Sequence, residues 1–366
     1  MSITAISSLS HWARDNALNT ALKALKNNAE TTPTILSFDI LDPEENAHPE
    51  KITIRVTRNH HETTKTTDII LKSNCSSCAT TLLLSDCLQL SDNTEDILIL
   101  LPPGVSLNTV INVAEKLEHH IHSAILALDI STIEDELWDN KPLEQRGLNG
   151  GCEDERTPGE FIITEIAWAD TAITSEIPFT HSTDTEKHRA QELLAHLGTH
   201  LKIISCTETT QPICGCHQRE DSIQRAQAGH LGINTQELTP ITNKTPQHTP
   251  INTAIRTGKN FTTVVLTTSG ILHHDRFASA LPHLAEGNCR LRGTLCINSY
   301  GSERIAIEGI GPFVWLEQQG QWEQQEPHNT IAITGDDLNP TELQELLNQC
   351  IITGEEIAEN LLNSTS

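Results

Sequence analysis

Residues 96–101, Asp96-Ile97-Leu98-Ile99-Leu100-Leu101, followed by Pro102-Pro103-Gly104, decide how the first part of the chain is read. An unbroken apolar run closed by a turn is what a strand buried on both faces requires, as at the centre of a parallel sheet. Outward from it, the spacing predicts a strand over 2–10 and a helix over 13–27, where Ala17, Leu18, Ala21, Leu22 and Leu25 recur at helical intervals. Two β-rich stretches, 32–40 and 51–57, follow, parted by the turn-forming run Asp42-Pro43-Glu44-Glu45-Asn46. Residues 82–90 read as a helix. Beyond the central run come a helix over 106–121, a strand over 123–130, a helix over 157–169 and the apolar run Thr171–Thr174. Strands alternating with helices at this spacing predict an α/β fold with a doubly wound, mostly parallel sheet.

From about 218 to 258 the chain turns polar and rich in Thr, Asn, Gln and Pro, which reads as a linker. After it come a strand over 261–268, a helix over 274–286, four short strands near 290–298, 304–308, 313–317 and 329–334, and a helix over 340–350. That order predicts a small α+β domain. The expected division is 1–217, a polar linker 218–258, and 259–366, and 366 residues exceed what one hydrophobic core usually supports.

The formal charge of −25 repels phosphate backbones and anionic membranes alike, so neither direct nucleic-acid binding nor membrane association is expected. No apolar run approaches the roughly 20 residues that span a bilayer, and the N-terminus lacks the pattern of a signal peptide. The expected location is the cytoplasm, where thiols stay reduced and clustered cysteines become candidate metal ligands. Ten cysteines and 18 histidines supply them.

Several segments carry a family resemblance. Arg290-Leu291-Arg292-Gly293-Thr294-Leu295-Cys296 is similar to an R-x-K/R-G-x-x-W strand, with Cys296 in place of the aromatic residue. Leu272-His273-His274-Asp275-Arg276-Phe277 is similar to F-H-P-x-R-L, and Leu347-Asn348-Gln349-Cys350-Ile351-Ile352-Thr353-Gly354-Glu355-Glu356 to L-x-x-C-L-L-T-x-E-E. In the first domain Asn74-Cys75-Ser76-Ser77-Cys78 is similar to G-C-x-x-C, and the stretch from Asp154 to Asp170 to the segment before a guanine-recognition loop. In their order these motifs resemble the CobW-type metallochaperone GTPases, in particular a divergent actinobacterial branch without Walker A. The resemblance implies a P-loop-NTPase-like first domain and a CobW C-terminal domain after the linker.

The nucleotide motifs themselves do not follow the family. A phosphate cradle needs glycines, a Lys and a Ser/Thr, yet no glycine precedes Gly104 and no Gly-Lys-Ser/Thr triplet occurs. After the central strand the expected acidic residue is replaced by Pro102-Pro103, and at the guanine-recognition position stands Ser175-Glu176-Ile177-Pro178. GTP binding and hydrolysis are therefore not expected, and the chain leans away from being an enzyme. Arg14 beside the first helix N-terminus leaves weak anion binding open.

Cys75 and Cys78 occupy the position at which the resemblance implies a transferable metal, and a Cys-x-x-Cys pair places two thiolates on one tetrahedral zinc ion or another divalent metal. Cys87 adds a ligand if the intervening segment folds back. Two structural cysteines, or a thioredoxin-like dithiol, remain alternatives. A second cluster, Cys214-Gly215-Cys216-His217, offers up to three ligands in one turn. His119, His120 and His122 read as the end of a helix. Cys350 reads as core, and His273, His274 and Cys296 as neighbours should the second domain fold as expected.

The function these features imply is a metal-binding protein, with zinc as the expected ion, acting in metal homeostasis or the response to zinc starvation. The alternatives are a protein–protein scaffold linked to ribosome or stress factors and a residual GTPase metallochaperone. The expected partners are a client metalloprotein or a basic protein.

Overall fold

Every residue of strand β1 (Ser2–Ser8) after Ser2 is buried, as a central strand covered on both faces requires. The computed structural model describes residues 1–26, 32–41, 51–60, 63–73, 75–91, 95–148, 154–178, 182–207, 213, 215, 217–233, 238–241, 253–287, 290–322 and 328–356. The chain divides into two units, Met1–Ala226 and Gln227–Ser366.

In the first unit β1 is followed by α1 (His11–Lys26), β2 (Thr34–Leu41), β3 (Lys51–His60), β4 (Thr63–Lys72), α2 (Ser76–Gln89), β5 (Ile97–Leu100), α3 (Leu107–Lys116) and β6 (His120–Asp129). Then come α4 (Ile133–Trp138), α5 (Pro158–Trp168), β7 (Thr171–Ser175), α6 (Asp184–Leu197), β8 (Lys202–Ser205) and α7 (Arg219–Ala226). One eight-stranded sheet results, in the order β4-β3-β2-β5-β1-β6-β7-β8. From β2 to β8 the neighbours run parallel, and β3 and β4 are added antiparallel. The expected doubly wound, mostly parallel sheet is thus present.

The central run behaves as its composition demands. β5 lies beside β1 with Ile3 opposite Ile97 and Ile6 opposite Leu100. Leu98 and Leu100 meet Ala13, Ala17, Ala21 and Ala24 of α1 in one core cluster, and Ile97 and Ile99 point to the other face by strand alternation. All four are buried.

Three stretches depart from the sequence reading. The helix expected over 106–121 stops at Lys116, because Glu118 adopts a left-handed backbone with φ 55° and the His119 N–H closes on the Ala114 carbonyl at 2.8 Å. A left-handed residue just past the last turn ends a helix. His120 and His122 consequently open β6 and do not cap a helix. The polar segment before Asp68 is part of β4, a strand exposed over most of its length at the sheet edge. Within 218–258, read as a linker, α7, β9 (Thr239–Ile241) and β10 (Thr253–Thr257) are formed.

The second unit continues with β11 (Thr262–Ser269), α8 (His274–Leu284), β12 (Arg290–Leu295), β13 (Glu303–Ile310), β14 (Phe313–Gln321), β15 (His328–Gly335) and α9 (Pro340–Gln349). Its seven strands form an antiparallel sheet in the order β14-β13-β12-β15-β11-β10-β9. Phe277 and Leu284 of α8 and Leu343 and Leu347 of α9 share its core with Leu266, Leu291, Ile307 and Ile333. This is the expected α+β arrangement. The Arg-x-Arg-Gly segment has a structural reason here. A Cβ on Gly293 would stand 1.9 Å from the Thr330 carbonyl oxygen, so only glycine fits between β12 and β15. Glu308 of β13 accepts from Arg290, from Arg292 Nε at 3.2 Å and from the Gly229 N–H at 2.9 Å. The two guanidiniums hold its carboxyl below the usual range against the opposing effect of burial.

Candidate functional site

The thiol pair is placed by the start of a helix. Cys75 is the N-cap of α2, with extended backbone, and its Sγ accepts the Cys78 N–H at 3.3 Å. A residue in this position normally offers a side-chain oxygen to one of the unpaired N–H groups of the first turn; here sulfur does so. Ser73 fixes the approach, its Oγ accepting the Cys75 N–H at 3.1 Å. Cys78 lies one turn inside the helix and is exposed, while Cys75 is half-buried. Both thiols therefore lie at one helix end, and the macrodipole favours negative charge there.

Cys87 does not join them. Cys78 and Cys87 belong to the same unbroken helix, and nine residues of helical rise separate them by about 13 Å. The expected fold-back is absent because Ala79, Leu83, Leu84 and Leu88 keep α2 helical against the body of the unit. Burial pushes the Cys87 thiol up.

Cys214 and Cys216 lie outside the described residues, but the flanking positions are described. Gly215 takes φ +75°, and a Cβ there would lie 3.1 Å from Cε1 of His122. His217 turns inward: its N–H reaches the His122 carbonyl at 3.3 Å, and its Nδ1 lies 3.2 Å from Asp170 Oδ2. Its Nε2 lies 3.5 Å from the Ser222 hydroxyl. Asp170 also accepts from Ser123 Oγ at 2.6 Å, the Ala124 N–H at 2.7 Å and Thr171 Oγ1 at 2.7 Å. The order Ser222, His217, Asp170 has the shape of a hydrolytic triad. Ser222 is fully buried, however, and its hydroxyl donates to the Arg219 carbonyl at 2.7 Å. A nucleophile sealed in this way has no access to substrate, and the three residues tie α7 to the edges of β6 and β7.

Among the described residues the remaining cysteines, Cys206, Cys296 and Cys350, are half-buried or buried. Cys296 and Cys350 are core residues, and burial pushes both thiols up. Cys350 donates to the Leu346 carbonyl at 3.2 Å. The expected neighbourhood of the His273-His274 segment and Cys296 is present in the backbone, the Leu272 N–H donating to the Cys296 carbonyl at 2.8 Å, with His274 exposed and Cys296 buried. Among the described residues no group of three or more His, Cys, Asp or Glu is arranged to hold a metal ion.

At the position where a phosphate cradle would begin, β1 passes to α1 through Leu9 and Ser10 alone. Ser10 Oγ accepts the Ala13 N–H at 3.4 Å, which caps the helix. Arg14 is buried and spends its guanidinium on Asp39 at 2.8 Å and on the carbonyls of Phe38 and Leu101 at 3.3 and 3.2 Å. Arg14, the residue considered for weak anion binding, thus has its Nη1 engaged within the fold. Glu165, fully buried on α5, accepts from Ser106 and from the Leu107 N–H at 2.8 Å, fixing the start of α3. Nothing in the sequence pattern separates it from the exposed acidic residues. Burial raises its carboxyl above the ordinary value.

Comparison with known proteins gives three findings. No curated protein sequence matches the chain. Among solved structures, a Zn(II)-bound triple mutant of the YjiA GTPase is 13% identical with a TM-score of 0.38, over 96% of this chain and 99% of that one. The Zn(II)-bound YjiA GTPase from E. coli is 12% identical with a TM-score of 0.35, over the same shares of the two chains. No helix among the described residues is long and apolar enough to cross a membrane. Residues 261–351, most of the second unit, match the family described as the cobalamin synthesis protein cobW C-terminal domain.

Proposed function

We propose that the chain is a CobW-like metal-binding protein that takes up zinc through Cys75 and Cys78 and serves metal homeostasis without working as a GTPase. The observation that supports this reading is the Cys75–Cys78 arrangement: two thiols in the first turn of α2, one capping the helix and the other exposed. Two thiolates supply half of a tetrahedral zinc shell. The other positions fall to water or to the protein that receives the ion, as suits a cargo metal rather than a structural one. The two-residue connection between β1 and α1 and the engaged Arg14 support the view that the nucleotide site is degenerate. A client metalloprotein or a basic protein surface is the partner that the charge of −25 favours.

Zinc titration of the chain against Cys75→Ser/Cys78→Ser, with a competing chelator, tests the assignment. Loss of one zinc equivalent in the double variant, with an unchanged unfolding midpoint of the metal-free proteins, is the expected result. An unaltered stoichiometry and affinity removes the idea. Calorimetry with GTP and magnesium is expected to show no binding, and tight binding would restore the GTPase reading without bearing on zinc.

A further inference from the structure

The open edge of the second sheet has a composition that an unpaired edge rarely keeps. β14 pairs with β13 on one side and is the last strand in its sheet. Among the described residues no strand pairs with its other side, and a row of unpaired backbone donors and acceptors is the arrangement that templates further pairing. Natural edges are blunted by Lys, Pro or inward-pointing charge. β4, the corresponding edge of the first sheet, carries Lys65, Asp68 and Lys72. β14 reads Phe-Val-Trp-Leu-Glu-Gln-Gln-Gly-Gln and has one charged residue and no proline.

Both faces of this strand are apolar at its start. Leu316 lies opposite Ile307, a core residue, and Val314 packs against the core cluster. Phe313 and Trp315 fall on the other face, opposite Ile310 and Glu308. Phe313 is 40% and Leu316 38% exposed. The core beneath α8 and α9 thus reaches out to Val314 of the edge strand, with Leu316 half-exposed beside it.

We infer that β14 is a pairing edge for a second copy of this chain, the two β14 strands meeting antiparallel to continue one sheet through both molecules. The strand complements itself. A twofold axis normal to the sheet and centred on Trp315 sets Val314 opposite Leu316 of the second copy. The same axis sets Phe313 opposite Glu317, so that no like charges meet across the pair. Apolar side chains on both faces then gain cover, and the free N–H and C=O groups gain partners. Each copy carries −25, so the association strengthens as salt screens the repulsion.

Sedimentation or light scattering of the full chain, over a concentration series at low and high salt, reads this directly. The wild type is expected to dimerise, more tightly at high salt, and its Phe313–Gln319 amides to gain hydrogen-exchange protection with concentration. Leu316→Lys and Phe313→Lys each place a charge at an exposed edge position and are expected to weaken self-association by about tenfold or more. Circular dichroism of both variants establishes that they fold. A wild type that stays monomeric throughout, or dimers indifferent to both substitutions, overturns the inference. So does concentration-dependent protection that appears elsewhere and leaves β14 unprotected.

Discussion

Asp170 accepts four hydrogen bonds, from Ser123, Ala124, Thr171 and His217, in a buried position at the start of β7. Truncating one such acceptor strands several donors, so Asp170→Ala is expected to cost about 3 kcal/mol, read from denaturant unfolding; a loss below about 1 kcal/mol would show that the donors find water. This network explains why His217 could not be judged from sequence. Its neighbours Cys214 and Cys216 suggest a ligand, but the partner that claims its imidazole is 47 residues away. Cys75 and Cys78 were legible because their spacing is local: the first turn of a helix alone brings them together. Cys87 lies nine residues beyond Cys78, and the unbroken helix between them keeps it distant in space.

Among the elements, α4 gives the clearest pH dependence. Burial, with Asp129 and Asp135 adding and Arg146 opposing, pushes the Glu136 carboxyl up to about 7 from an ordinary 4.5. The folded chain keeps a proton here that the unfolded chain releases. Its contribution to stability is complete below the ordinary value and is lost as pH climbs through about 7. Thermal midpoints measured across that window should fall with rising pH, and Glu136→Gln should flatten the decline; an equal slope in the variant would assign it to another group. Elements with strong periodicity, such as the central apolar run and the helices of the second unit, follow from sequence. The end of α3 does not, because it rests on one left-handed residue, Glu118. β4 escaped notice since an exposed edge strand has no apolar alternation to display. α6 was not read from the sequence; its capping box, Thr183 with Glu186, is the local signal that could have found it.

For the molecule as a whole, a charge of −25 on 366 residues opposes compaction. Adding potassium chloride to about physiological strength and beyond is expected to raise the unfolding midpoint by a few degrees, and scanning calorimetry at several salt levels checks it. A midpoint that falls with salt would mean that attractive ion pairs outweigh the repulsion. Composition foretold the sign of this field. The burial of Glu165 and Arg14 was not legible, because it depends on which chain segments happen to be stacked above them.

Leu9 and Ser10 are all that lies between the first strand and the first helix. Two residues reach at most about 7 Å, whereas a loop that wraps a diphosphate runs through about six positions before its lysine. What is missing here is contour length, and substitution cannot supply length. Swapping glycine and lysine into these two positions would leave the connection just as short. Only an insertion could give this connection the reach that such a loop requires.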